Sequence, residues 1–160
     1  YKNKYNGFPR IPIWMVTEVM SMGSLSVLYS GLKNNEKAGI YDKKTIAEQF
    51  GIHYRCLAGW LHTLTYIRNI CAHHSRLWNR ELAIRPDQNR PLSWETSTMP
   101  CNSRIFYILL ILRYLLRFNG NGDQWANQVN QLLLTIANND EWLNAMGIPE
   151  NWENHPMWKI

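Results

Sequence analysis

"HYRCLAGWLHTLTYIRNICAHH", residues 53 to 74, decides the fold. It contains no proline, and Leu57, Trp60, Leu61, Leu64, Ile67 and Cys71 recur at helical spacing. At about 100° per residue these six fall within a sector about 120° wide, which predicts one helix with a single core face. Opposite lie Arg55, His62, Tyr66, Asn69, His73 and, if the helix continues, Arg76. That stripe is rich in hydrogen-bonding groups and carries no acid.

Outward from this helix the chain reads as helical on both sides. "PRIPIWMVTEVMSMGSLSVLYSGLK" predicts a helix from near Pro12 to Leu32, where a first-turn proline is tolerated and Gly23 weakens the middle. "YDKKTIAEQFG" predicts a short helix with Asp42 as N-cap and Gly51 as its stop. After the central helix, "RLWNRELAIRPDQNRPLSWETSTMPCN" holds Pro86, Pro91 and Pro100 and reads as a long ordered loop. Two more helices are expected over Ser103–Phe118 and Asp123–Asn138, the second capped by Asp123, with a short turn at "DEWLNAMGIP". No strand pattern or repeat stands out. The expected fold is all-α, a bundle of about five helices with a long loop after the motif helix.

The size, 160 residues and 18.9 kDa, suits one domain over residues 1–160. A 46% hydrophobic content argues against disorder, and eight tryptophans imply aromatic packing in the core or at an interface. The net charge is +5, and between Arg55 and Arg90 six arginines stand against Glu81 and Asp87. Such a cluster suits a polyanion, although a modest excess is also common on proteins that bind none. Cys56 and Cys71 share one helix at roughly 22 Å, too far to bridge, and an odd cysteine count fits a reducing compartment. "IFYILLILRYLLRF" is interrupted by Arg113 and Arg117 and is too short to span a bilayer, so a buried helix and no membrane partner are expected. With no recognisable secretory leader, a cytoplasmic protein is expected.

Arg68, Asn69 and His73 form the first candidate site. Asn69 and His73, four apart, share a face, whereas Arg68 and His73 lie about 140° apart. Two copies of the helix across a two-fold axis can place an arginine and a histidine from each chain in one cleft. Histidine can move the protons of RNA cleavage near neutral pH, and arginine can stabilise the charge on a phosphorane-like transition state. Neither role needs a metal or another cofactor. A helix C-terminus that favours cations through its dipole accounts for His73, His74 and Arg76 equally well, but not for Arg68 or Asn69. No histidine or cysteine set has the spacing of a zinc site.

"TIAEQFGIHYRCLAGWL" fits, loosely, a helix-turn-helix with Ala47, Gly51 and Leu57 at its small, turn and core positions, leaving Tyr54 and Arg55 toward DNA. An ordinary helical corner uses the same residues. Trp78 and Trp94, interleaved with Arg76, Arg80, Arg85 and Arg90, can hold single-stranded RNA by stacking and phosphate contacts, or can anchor the loop on the bundle.

"GFPRIPIWMVTEVMSMGSLSVLYSGLK", "IAEQFGI" and "WLHTLTYIRNICAHHSRLWNR" together resemble the Abi-like (abortive infection) family of bacterial phage-defence proteins, within the HEPN superfamily. The likeness runs from about Gly7 to Arg90. It implies a HEPN bundle that dimerises around paired Arg-x4-His motifs, and a metal-independent endoribonuclease that leaves 2′,3′-cyclic phosphate ends. It makes Arg68 and His73 catalytic, with Asn69 the polar residue after the arginine. His62, Tyr66, His74, Arg76, Trp78 and Arg80 are the candidate RNA contacts around them. RNA, a second copy of the chain, and an antitoxin or regulatory RNA are the implied partners. Family members are usually longer, so the chain is expected to be the C-terminal part of a longer protein. The alternative is a non-catalytic helical module that binds nucleic acid or a protein partner.

Overall fold

The computed structural model describes residues 11–33, 42–87, 99–156 and Trp158. Among these residues the protein is all-α, with seven α-helices and no strand. They are α1 (Ile13–Val19), α2 (Met22–Gly31), α3 (Asp42–Gln49), α4 (Tyr54–Ala72), α5 (Ile105–Leu116), α6 (Gly122–Leu134) and α7 (Asp140–Met146). Short 3-10 turns follow at Arg117–Asn119 and Trp152–Asn154.

The single helix expected over 12–32 is two. Met20 is extended, and Ser21 caps a new helix by accepting from the amide of Ser24 at 3.1 Å. A serine cap inside an apolar run outweighs the apolar pattern, because it supplies an acceptor for an otherwise orphaned N–H. α1 buries none of its residues, whereas α2 packs on α4 and buries Ser26 and Tyr29. The Tyr29 hydroxyl donates to the Lys43 carbonyl at 2.9 Å, tying α2 to α3, and burial pushes its pKa up to about 12.

α4 spans the expected stretch, but its buried face is turned. Cys56, Leu57, Trp60, Thr63, Leu64, Ile67 and Ile70 are buried, Leu61 is half-buried and Cys71 is exposed. On a helical wheel this face is centred about 50° to one side of Leu64. The turn brings Cys56, Thr63 and Ile70 inward and leaves Leu61 at the edge. Cys71 lies within the angular range yet is exposed, in the last turn of the helix.

α5 is the central helix, as its composition predicts: eight of its twelve residues are buried. Trp60 of α4 meets Tyr114 of α5 edge-on at 5.7 Å, and the Tyr114 hydroxyl donates to the Phe50 carbonyl at the α3–α4 corner. Asp123 is not the cap of α6. It lies in the first turn and accepts at 2.7 Å from Arg113, a buried cation whose Nε also donates to the Trp158 carbonyl. A buried guanidinium needs a counter-charge more than a helix start needs a cap, since its desolvation costs several kcal/mol when unpaired, on the order given for buried ions.

The loop after α4 is laid on the bundle over its described part. Trp60 Nε1 donates to the Asp87 carbonyl, Asn102 to the Pro86 carbonyl, and the Leu82 amide to the Ser103 carbonyl. Arg90, Pro91 and Trp94 lie outside the described residues.

Candidate functional site

The motif occupies the end of α4. Arg68 and Asn69 are in its last turn, His73 is its C-cap and His74 follows in the left-handed region with φ 52°. The Ser75 amide donates to the Ile70 carbonyl and the His74 amide to the Cys71 carbonyl, both at 3.0 Å. This bond pair is a Schellman cap, which usually ends on glycine. Here histidine, one of the few side-chain-bearing residues tolerated with positive φ, takes that place. The sharp stop fixes where His73 leaves the helix.

Arg68, Asn69 and His73 are all exposed. On the wheel they fall at about 40°, 140° and 180° from Leu64. Arg68 therefore lies within the face expected from the apolar pattern, and it reaches solvent because the buried face is turned the other way. Arg68 Nη1 donates to Asn69 Oδ1 at 2.9 Å. That bond draws the guanidinium from its own side of the helix toward the stripe that ends in His73. Asn69 thus narrows the angular gap that the sequence leaves between arginine and histidine.

The remaining candidates divide. His62 is exposed on the same stripe but roughly 16 Å along the axis from His73. Tyr66 is half-buried and packs against the core, so much of its ring is structural. His74, Arg76 and Arg80 are exposed; Arg80 Nε donates to the Arg76 carbonyl at 3.0 Å, closing the turn around Trp78. Trp78 is 40% exposed. Its ring lies 6.0 Å from that of Trp142 in α7, a residue that sequence reasoning did not single out because only the fold brings the two together.

The helix-turn-helix candidate forms its corner: Ala47 and Leu57 are buried and Gly51 has φ +64°. Tyr54 is half-buried beside His53 and Lys43, and Arg55 lies over the Tyr54 ring. Among the described residues no group of three or more histidine, cysteine or acidic side chains is placed to hold a metal ion. None of the described helices is long and apolar enough to cross a membrane.

A family model for Abi-like proteins matches residues 1–79, a span that contains α1 to α4 and the whole Arg-Asn-x3-His motif. Over that span the chain belongs to the Abi-like family. No curated protein and no solved structure matches the chain. The Abi-like match ends at Asn79, just past Trp78, so α5 to α7 lie beyond it.

Proposed function

We propose that this Abi-like chain is a HEPN-type endoribonuclease of a bacterial defence or toxin-like system, acting in the cytoplasm as a homodimer. The observation that carries the reading is the Arg68–Asn69 hydrogen bond at the exposed end of α4, which turns a guanidinium toward the side of the helix where His73 emerges. Packing does not account for this arrangement, since all three side chains stand in solvent.

In the proposed reaction the neutral His73 imidazole of one copy takes the proton of a ribose 2′-OH. The 2′ oxygen attacks the adjacent phosphorus, and the bond to the 5′ oxygen breaks. His73 of a second copy, protonated, gives its proton to that leaving oxygen. The products are a 2′,3′-cyclic phosphate and a free 5′-OH. Arg68 donates to the non-bridging oxygens as negative charge builds on them. Two copies are invoked because one helix offers a single imidazole at this position, while the reaction uses a base and an acid.

The test is incubation of the purified chain with structured RNA in EDTA. Fragments ending in cyclic phosphate are expected from the wild type and not from Arg68→Ala or His73→Ala, with all three folded alike. Equal cleavage by the three proteins rejects the assignment.

A further inference from the structure

We propose that the indoles of Trp78 and Trp142 form a seat for an unpaired nucleobase of single-stranded RNA, at the end of the molecule where α4 stops. The choice of RNA rests on the nuclease reading; the seat itself rests on the following geometry.

Two large aromatic side chains lie side by side while each remains substantially in water. Trp78 is 40% and Trp142 46% exposed, with ring centroids 6.0 Å apart and planes inclined at 53°. An inclined pair does not cover itself face to face, so ring surface stays available to a third planar group.

Both tryptophans stand on pinned backbone. The Trp142 amide donates to Asn139 Oδ1 at 3.0 Å, the N-cap of α7. Trp78 sits in a turn closed by the Arg80 amide on the Leu77 carbonyl and by Arg80 Nε on the Arg76 carbonyl, each at 3.0 Å. Arg104 joins the two supports. Its Nη1 donates to the Asn79 carbonyl at 3.2 Å, and its Cβ lies where a side chain on Gly147, at the end of α7, would fall. A seat held this way loses little side-chain or backbone freedom when a ligand arrives, which favours binding.

Charge selects the occupant and its direction. Arg76 and Arg80, both exposed, flank Trp78, whereas Asp140 and Glu141, also exposed, precede Trp142. A phosphate backbone is attracted to the Trp78 side and repelled from the start of α7, so a strand would run past Trp78 with one base reaching across toward Trp142. Trp78 is five residues from His73, at most about 18 Å along the chain, which a few nucleotides can cover. Bases in a duplex are already stacked and cannot enter, so the seat discriminates single from double strands.

The test uses the full chain carrying His73→Ala, which keeps the RNA intact, and fluorescence anisotropy of a labelled single-stranded RNA of about twelve nucleotides. Stacking contributions measured on single-strand binders translate into a loss of roughly 5- to 150-fold for Trp142→Ala. Trp142→Phe is expected to recover most of it, and affinity for a duplex of the same sequence to change less than about twofold. Trp78→Ala, read the same way, serves if Trp142→Ala does not fold. The seat is rejected if the alanine variants bind the single strand as the parent does, if single strand and duplex are lost alike, or if the parent binds no RNA. Cleavage separates the two ideas. Trp142-dependent binding without cyclic-phosphate products from the native chain retains the seat and removes the nuclease; native cleavage that Trp142→Ala leaves unchanged does the reverse.

Discussion

Arg68 Nη1 and Asn69 Oδ1 are joined at 2.9 Å on the solvent side of the last turn of α4. Neighbours in a helix point about 100° apart, so this contact exists only because the long arginine stem bends over the adjacent residue. The bond aims the guanidinium rather than stabilising the fold, because both groups are exposed and water can replace either partner.

Asn69→Ala is therefore expected to leave thermal stability unchanged and to lower RNA cleavage about 5- to 10-fold, the equivalent of one modest charge-assisted hydrogen bond. Asn69→Asp is expected to be worse, since its carboxylate holds Arg68 but cancels the charge needed at the phosphate. Single-turnover rates of the three proteins check the order. Wild-type rates from Asn69→Ala would remove the positioning role.

His74 tests whether the second histidine serves the cap or the RNA. It occupies the left-handed position that glycine prefers. Replacing it with glycine relieves roughly 1–2 kcal/mol of backbone strain, partly offset by about 0.4–1 kcal/mol of added freedom in the unfolded chain. His74→Gly should raise the melting temperature by about 2–4 °C, the shift that about 1 kcal/mol gives at this size. If it also weakens RNA binding, His74 is a contact in its own right.

The all-α class and the two chief helices were legible because their periodicity is long. α4 and α5 carry apolar residues over many turns, and nothing in between contradicts them. What was not legible depends on which neighbour covers which side. Ile70 is buried although an isolated wheel centred on Leu64 leaves it out, because α2, α3 and α5 together turn the face that α4 buries; Cys71 lies on the expected face and is exposed by its place in the last turn. The same turning of the buried face exposes Arg68, which the sequence placed near the core-face edge. Trp142 was invisible for a different reason: its partner is sixty-odd residues away, and no local pattern encodes that contact. Asp123 reads as a cap from its neighbours, and only the buried Arg113 explains its use.

Alkaline pH should loosen the fold through Cys56 and Tyr29. Burial first, and then the nearby Asp87 charge, pushes the Cys56 thiol from 9.0 up to about 12; burial, with a smaller contribution from Cys56, pushes Tyr29 from 10.0 to about 12. Both are raised, so the unfolded chain ionises first and binds fewer protons than the folded one. The stability they contribute is complete below about pH 9 and is lost as pH climbs toward about 12, with a slope of at most about 1.4 kcal/mol per pH unit for each group. Melting temperatures from pH 8 to 11 should fall, and less steeply in Cys56→Ala, which starts lower because it leaves a small void. Identical slopes would show that Cys56 is not a source of the effect.

Gly147 is required twice over. Its φ of +72° disfavours any side chain, and an added Cβ would sit 2.5 Å from Arg104 Cβ and 3.0 Å from its Cγ. The first contact is to an atom fixed directly on the backbone, so α7 or the segment before α5 must move. Gly147→Ala is expected to cost more than the roughly 1–2 kcal/mol of the left-handed conformation alone, lowering the melting temperature by at least about 4 °C. The displacement acts on the residue whose guanidinium also holds Asn79, and so on the separation of Trp78 from Trp142. A change in tryptophan fluorescence below the melting transition should therefore accompany the loss of stability. It should be smaller in Gly147→Ala made on a Trp142→Phe background, where one of the two reporting indoles is gone. Lower stability with an unaltered emission spectrum would mean that α7 yields without moving its tryptophan, and that Arg104 does not couple the two supports.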